Sequence, residues 1–338
     1  MAAFVSYGDI SPRTNVYAAA KFLQHAVPKL VLERYATIPD SIPKNKTLTI
    51  KFRRCVPFDV TTTPLQEGVT PQPQAGQFED VSTYLKQYGS WVQITDVIAD
   101  THEDPVLNKF SELCAEQAAQ TREQLNWGVF QGGTSVYYSS TTASPTLRSQ
   151  VNAPITLQLQ RKVERFLDSQ YATKFTKMLK PSPNYDTTAV PEAYVAICNT
   201  DLRADLYDMA AKFTPVEKYA SGSPEPYEIG KAENCRYIAS AFLKPFLGAG
   251  SSTLNGMTSA GGSNVDVYSI LYVSQDALGV VPLRGMQDVE MGIRNPNKMG
   301  DSASDPLGQR GYVAWKMWHA ALILNQNWVA RVEVGATA

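Results

Sequence analysis

"TLTIKFRRCVPFDV", residues 47–60, places Leu48, Ile50, Phe52, Val56, Phe58 and Val60 on one side of an alternating pattern broken only by Arg54. Such alternation predicts a long β-strand. A Thr-, Pro-, Gly- and Gln-rich run follows, "TTTPLQEGVTPQPQAGQ" (61–77), and then a second extended stretch, "FEDVSTYLKQYGSWVQITDVI" (78–98), ragged around Gly89. The two stretches predict a long hairpin with a flexible tip. A two-stranded ribbon cannot cover its own apolar face and is marginal alone in water, so Leu48, Ile50 and Phe52 need something to lie on. Either a neighbouring subunit or the body of this chain would serve.

Downstream of the ribbon, "DPVLNKFSELCAEQAAQTREQLNWGVFQGG" (104–133) repeats apolar or small residues at Val106, Leu107, Phe110, Leu113, Cys114, Ala118, Leu125 and Val129, with Thr121 between them. Lys109, Glu112, Glu116, Arg122 and Glu123 fall mostly off this stripe, which predicts an amphipathic helix ended by Gly132 and Gly133. At 1.5 Å per residue it would be a rod of roughly 39 Å. Just before it stand His102, Glu103 and Asp104, a trio that invites a metal or general-base reading. Consecutive residues do not point at one centre, and helix initiation explains them: Thr101 caps the helix, or Asp104 caps it with Pro105 at the first helical position. Acidic groups there also meet the positive end of the helix dipole.

From about residue 151 the pattern becomes mixed: a helix in "ITLQLQRKVERFLDSQ", a continuous apolar strand in "AYVAICN", a capped helix in "TDLRADLYDMAA", a Gly/Ser-rich loop in "PFLGAGSSTLNGMTSAGGSN" and a strand in "VDVYSILYVS". This predicts a second lobe of mixed helix and sheet. "GYVAWKMWHAALILNQNWVARVEV" at the C-terminal end reads as a long strand covered on both faces over much of its length, a turn at Asn325 to Asn327, and a last strand from Trp328 to Val334. The N-terminal segment beginning at Ser11 and Pro12 predicts an arm with a short helix running toward Pro28, with His25 as a packing or surface residue.

Composition narrows the function classes. Thirty-one Lys and Arg balance 32 Asp and Glu, which gives no electrostatic reason to expect a dedicated nucleic-acid binder. No signal-peptide pattern and no membrane-length apolar run is expected. Cys55, Cys114, Cys198 and Cys235 are dispersed and read as reduced, mostly buried thiols. Gly230 and Lys231 lack a phosphate-loop context, Gly248 to Gly250 lack a dinucleotide context, and no nucleophile elbow occurs. With His25, His102 and His319 far apart, neither a metal centre nor a cofactor nor an enzyme is expected, and His319 reads as a satisfied core histidine. Asp201/Asp205 and Glu112/Glu116 lie one helical turn apart and read as solvated helix surface.

The order arm, long hairpin, long helix, mixed lobe, closing strands resembles the major capsid proteins of tailed bacteriophages, whose Johnson fold is shared with encapsulins and herpesvirus floor domains. "PKNKTLTIKFRR", "TTPLQEGVTP", "LKQYGSWVQITDVIADTHEDPVL" and "DPLGQRGYVAWKMWHAALILN" look like one podophage-type branch, and the likeness runs over nearly the whole chain. It implies an α+β, Johnson-type fold with an N-terminal arm (1–44), an extension loop (45–98), a peripheral domain with the spine helix (99–150), an axial domain (151–282) and closing strands of the peripheral domain (283–338). The extension loop would lie over the adjacent subunit through Leu48, Ile50, Phe52, Arg53, Arg54 and Phe58, and the spine helix would start at Thr101, Asp104 and Pro105.

The resemblance further implies hexamers and pentamers closing into an icosahedral shell in the virion, assembled in the host cytoplasm around double-stranded DNA, with a portal protein as partner. The short arm leaves no room for a fused scaffolding domain, so a separate scaffolding protein or none is expected, with cement proteins as further partners. Family members that cross-link their subunits use a lysine and an asparagine near a catalytic glutamate; no local motif here identifies such a trio, so noncovalent assembly is expected. The rival on the same fold is an encapsulin-like compartment around a cargo enzyme.

Overall fold

In the computed structural model, residues 30–101, 106–142, 144–175, 192–209, 212–219, 224–252, 258, 262–283, 289–297 and 305–337 are described. The expected arm helix, His25, and the His102 to Pro105 stretch lie outside these residues. After a 3-10 turn at Leu32–Tyr35 the chain runs through β1 (Thr49–Cys55), β2 (Phe78–Tyr84), β3 (Lys86–Thr95), α1 (Asp96–Thr101), α2 (Val106–Phe130), β4 (Val136–Tyr138) and α3 (Leu157–Ser169). It continues through β5 (Tyr194–Cys198), α4 (Arg203–Asp208), β6 (Phe213–Pro215), β7 (Glu228–Ala232), β8 (Cys235–Ala239), β9 (Tyr268–Val273) and β10 (Leu278–Val281). The last strands are β11 (Glu290–Arg294), β12 (Arg310–Ile323) and β13 (Val329–Val334).

β12 organises one sheet. It pairs antiparallel with β3 from Arg310 opposite Thr95 to His319 opposite Lys86, with β11 through Tyr312 to Lys316, and with β10 through Ala320 to Ile323. Its alternation puts Val313, Trp315 and Met317 against Cys114 and Ala118 of α2, and the Trp315 indole N–H donates to Gln117 Oε1 at 2.9 Å. The opposite face is only partly covered: Tyr312 and Lys316 are exposed, so burial on both faces begins only near Trp318, where β10 and the ribbon base lie alongside.

The second sheet has seven strands in the order β4-β13-β9-β5-β8-β7-β6. Period-2 alternation splits it between two cores. Tyr194, Ala196 and Cys198 of β5 join Val163 and Leu167 of α3, while Val195 and Ile197 join Trp127 and Phe130 of α2. α3 starts where the sequence places it, with Thr156 Oγ1 accepting the Leu159 amide at 3.3 Å. The boundary expected at 282/283 does not follow the sheets, because β10 pairs with β12 while the closing strand β13 pairs with β9 and β4.

Three further expectations are corrected. The long hairpin is short: β1 and β2 are paired over seven residues each, Val56 onward is not strand, and the second stretch breaks at Leu85. Leu85 is 1% exposed among Ile42, Val281, Ala320 and Leu322, so burying it turns the chain off β1 and onto β12. Asp205 is buried, not solvated, and accepts the Thr337 amide at 3.1 Å, fastening the C-terminal residues to α4. Leu113 and Val129 of the expected helix stripe are exposed, whereas Glu123 is 1% exposed.

Gly89 faces Lys316 across β3 and β12, and a Cβ there would stand 2.7 Å from the Trp315 carbonyl oxygen. The raggedness in the sequence is thus a close backbone approach. Gly89→Ala is expected to cost about 1–3 kcal/mol through overpacking, read as a lower urea midpoint with an unchanged m-value.

Candidate assembly interface

The ribbon has two different halves. At its base Ile50, Phe52 and Val81 are half-buried against Ile42, Leu85, Trp318 and Leu324 of the same chain, and Thr83 Oγ1 lies 3.4 Å from the Ala321 carbonyl. The structure therefore gives Ile50 and Phe52, expected at a neighbour, a partner within the chain. Leu48 stays 39% exposed at the root, and Arg53, Arg54 and Phe58 stand in solvent beyond the base.

Cross-strand register explains the charges on the outer half. Arg53 is opposite Asp80 and Arg54 opposite Glu79. The Arg53 guanidinium donates to Asp80 at 2.8 Å, Lys51 Nζ reaches the other Asp80 oxygen at 2.7 Å, and Arg54 pairs with Glu79. The hydrogen bond from Arg53, and next that from Lys51, hold the Asp80 carboxyl well below the usual carboxylate range. In solvent such pairs add little to stability and mainly fix which residues face each other.

Beyond the paired strands, the Val56 amide donates to the Gln77 carbonyl at 3.0 Å and Gln74 Nε2 donates to Thr61 Oγ1 at 2.8 Å, closing the neck of the loop. The loop then presents Phe58, Val60, Leu65 and Val69 to water, Val60 at 88% exposure. A second exposed apolar surface is the open face of the β12 sheet, with Trp91 56% exposed opposite Ala314 and Tyr312 two residues along. Exposed aromatic and aliphatic residues grouped in this way mark a surface awaiting a partner.

The segment leading into the ribbon is clamped to α2. Glu123 accepts the Val31 and Leu32 amides at 2.7 and 3.0 Å, satisfying two free donors at the start of the Leu32–Tyr35 turn. Burial pushes the Glu123 carboxyl up, and the two amide bonds oppose that shift. Arg122 pairs with Glu33 alongside. His319 is 4% exposed and its Nε2 lies 2.8 Å from Asn126 Oδ1, as a satisfied core histidine should; burial, then the nearby Arg122, push its pKa down to about 4.

Among the described residues no group of three or more His, Cys, Asp and Glu is placed to hold a metal, and no helix is long and apolar enough to cross a membrane. Thr101 closes α1; Asp104 and Pro105 are outside the described residues, and α2 is described from Val106. Of the cysteines, Cys114, Cys198 and Cys235 are buried, while Cys55 is exposed on the ribbon. Sequence periodicity missed Glu123 and Asn126, both polar and both buried; the available signal was a carboxylate and an amide interrupting the apolar spacing near Trp127.

The family model for phage capsid protein matches residues 79–334. The major capsid protein of Pseudomonas phage KPP21 is 25% identical over 269 residues, covering 75% of this chain and 66% of that relative, so the match spans just under two thirds of its length. The capsid of Ralstonia phage GP4 superposes with a TM-score of 0.68 at 12% identity over 100% of this chain and 99% of that one. The capsid of cyanophage P-SCSP1u gives 0.65 at 13% over 99% and 100%. The fold is therefore the α+β Johnson type expected from the sequence.

Because native His319 binds its proton more weakly than the unfolded chain does, the unfolded state takes up more protons, and stability falls as pH drops from about 6.5 toward about 4. His319→Gln keeps a group able to bond Asn126 but removes the titration. The loss of urea midpoint between pH 7 and pH 5 is expected to be smaller in this variant than in the parent.

Proposed function

The chain belongs to the phage capsid protein family, and from that premise we propose that it is a major capsid protein. Its copies associate as hexamers and pentamers into an icosahedral shell around packaged double-stranded DNA. The observation that carries this reading is the ribbon, whose loop leaves Phe58, Val60, Leu65 and Val69 uncovered beyond a base that is packed on its own chain. Full burial of each such side chain on a neighbour is worth about 1.5–3 kcal/mol before the cost of ordering the loop. A modest contact repeated around a closed ring gives a strong shell.

The near-balanced charge fits a wall that encloses DNA without gripping it: strong phosphate binding would call for a basic inner face. In this reading Leu48, Arg53, Arg54 and Phe58 reach the neighbour directly, and Ile50 and Phe52 hold the ribbon at its working angle. In the same reading α2, described from Val106, is the spine helix. A portal protein sits at one vertex, scaffolding is either a separate protein or absent, and the head is put together in the host cytoplasm and ends in the virion. Association is noncovalent. Of the two kinds of shell built on this fold, the family match favours the phage head over a cargo compartment.

Deleting residues 62–73, between the closed neck positions Thr61 and Gln74, removes most of the uncovered loop and no core residue. The variant is expected to fold with a thermal midpoint close to the parent's, yet to give no rings or shells by electron microscopy where the parent does. Shells from the deleted chain would overturn the role given to the loop.

A further inference from the structure

Charge is segregated along the ribbon. From Cys55 to Leu85 the chain carries Asp59, Glu67, Glu79 and Asp80 and no Lys, Arg or His. Glu79 and Asp80 are taken up by Arg54, Arg53 and Lys51, so Asp59 and Glu67 are the acids the loop offers outward. At the root, residues 43–51 carry Lys44, Lys46 and Lys51 and no acid.

The root is also concave. A groove of about 540 Å³ lies between the Pro43 to Leu48 segment and the β3–β12 ladder, with Leu48, Leu283 and Trp318 as its apolar lining and Lys44, Lys46 and Lys316 as its cations. Lys316 is held by Glu290 at 2.9 Å, whereas Lys44 and Lys46 are exposed and form no ion pair among the described residues. An apolar lining beside two free ammonium groups fits a segment in which apolar side chains sit beside carboxylates. The loop is such a segment: Phe58, Asp59 and Val60 are adjacent, and Leu65 lies two residues from Glu67.

The loop cannot fill its own groove. The paired ribbon holds Val56 about 26 Å from Leu48, at roughly 3.3 Å per residue. Residues 62–73, six outward and six back, reach at most about 20 Å from the neck. A loop that fills this groove therefore belongs to another copy of the chain.

We propose that the acidic loop of one copy, from Asp59 at its neck to Glu67 at its tip, seats in the lysine-rimmed groove at the ribbon root of a neighbouring copy, facing Lys44 and Lys46. This rests on the shell reading and adds to it the receptor and the charges that set register. Complementary charge across a contact chiefly speeds encounter and rejects wrong registers, so assembly is expected to slow with added salt as the Debye length falls below about 10 Å.

The test uses the full chain in four forms: the parent, K44E/K46E, D59K/E67K, and the four substitutions together. Assembled fraction is measured by sedimentation velocity and electron microscopy, and folding by thermal melting. Both double variants should melt like the parent, since all four positions are exposed, but lose assembled fraction roughly tenfold or more. The fourfold variant should regain it. Normal assembly of K44E/K46E would overturn the groove as receptor. Failure of the fourfold variant to recover would mean that the groove takes another occupant, such as an acidic segment of a different protein, and would overturn the pairing. A parent chain that never forms particles would instead count against the shell reading itself.

Discussion

One strand ties together the long helix, the ribbon and the link between the two sheets. β12 supplies pairing edges to β3, β11 and β10, lays Val313, Trp315 and Met317 against α2, and ends in the short turn that delivers β13 to the other sheet. Fourteen residues thereby fix where the helix lies, where the ribbon is rooted and how the two sheets are tied. The ribbon inherits its direction from this arrangement, because Leu85 must be buried beside Ala320 and Leu322 at the point where the second strand changes partner.

The alternation along 310–323 was readable because a strand touching a helix on one face repeats every second residue, as Val313, Trp315 and Met317 do. The ribbon was readable as a ribbon for the same reason. Its length was not, because alternation continues through Val56, Phe58 and Val60 without a partner strand, and pattern alone does not distinguish a paired residue from an exposed one. Leu85 and Gly89 illustrate the limit: the glycine looks like the break and is a close contact, while the leucine looks ordinary and is the pivot.

The long helix was legible as an element but not as a face. A single 3.6-residue stripe assumes one neighbour, yet α2 serves two. Val106, Cys114 and Ala118 meet the β12 sheet, whereas Trp127 and Phe130 enter the core of the seven-stranded sheet. Between these zones the helix carries Glu123 and Asn126, whose burial makes sense only with partners remote in sequence, the Val31 and Leu32 amides and His319. Asp205 repeats the lesson at 132 residues' separation from Thr337. The candidate interface was visible as composition, in uncovered apolar residues and sorted charge, while the groove that could receive them depends on Leu283, Lys316 and Trp318 arriving from distant segments.

A two-stranded ribbon has two open edges, and open edges recruit further strands without limit. Here the central stretch of β1 and β2 is crowded with Lys51, Arg53, Arg54, Glu79 and Asp80, already satisfied across the pair. A third strand sliding alongside would have to meet this charged ladder. A charged ladder of this kind disfavours a further strand on the ribbon and leaves its exposed side chains, not its backbone, as the surface open to contact.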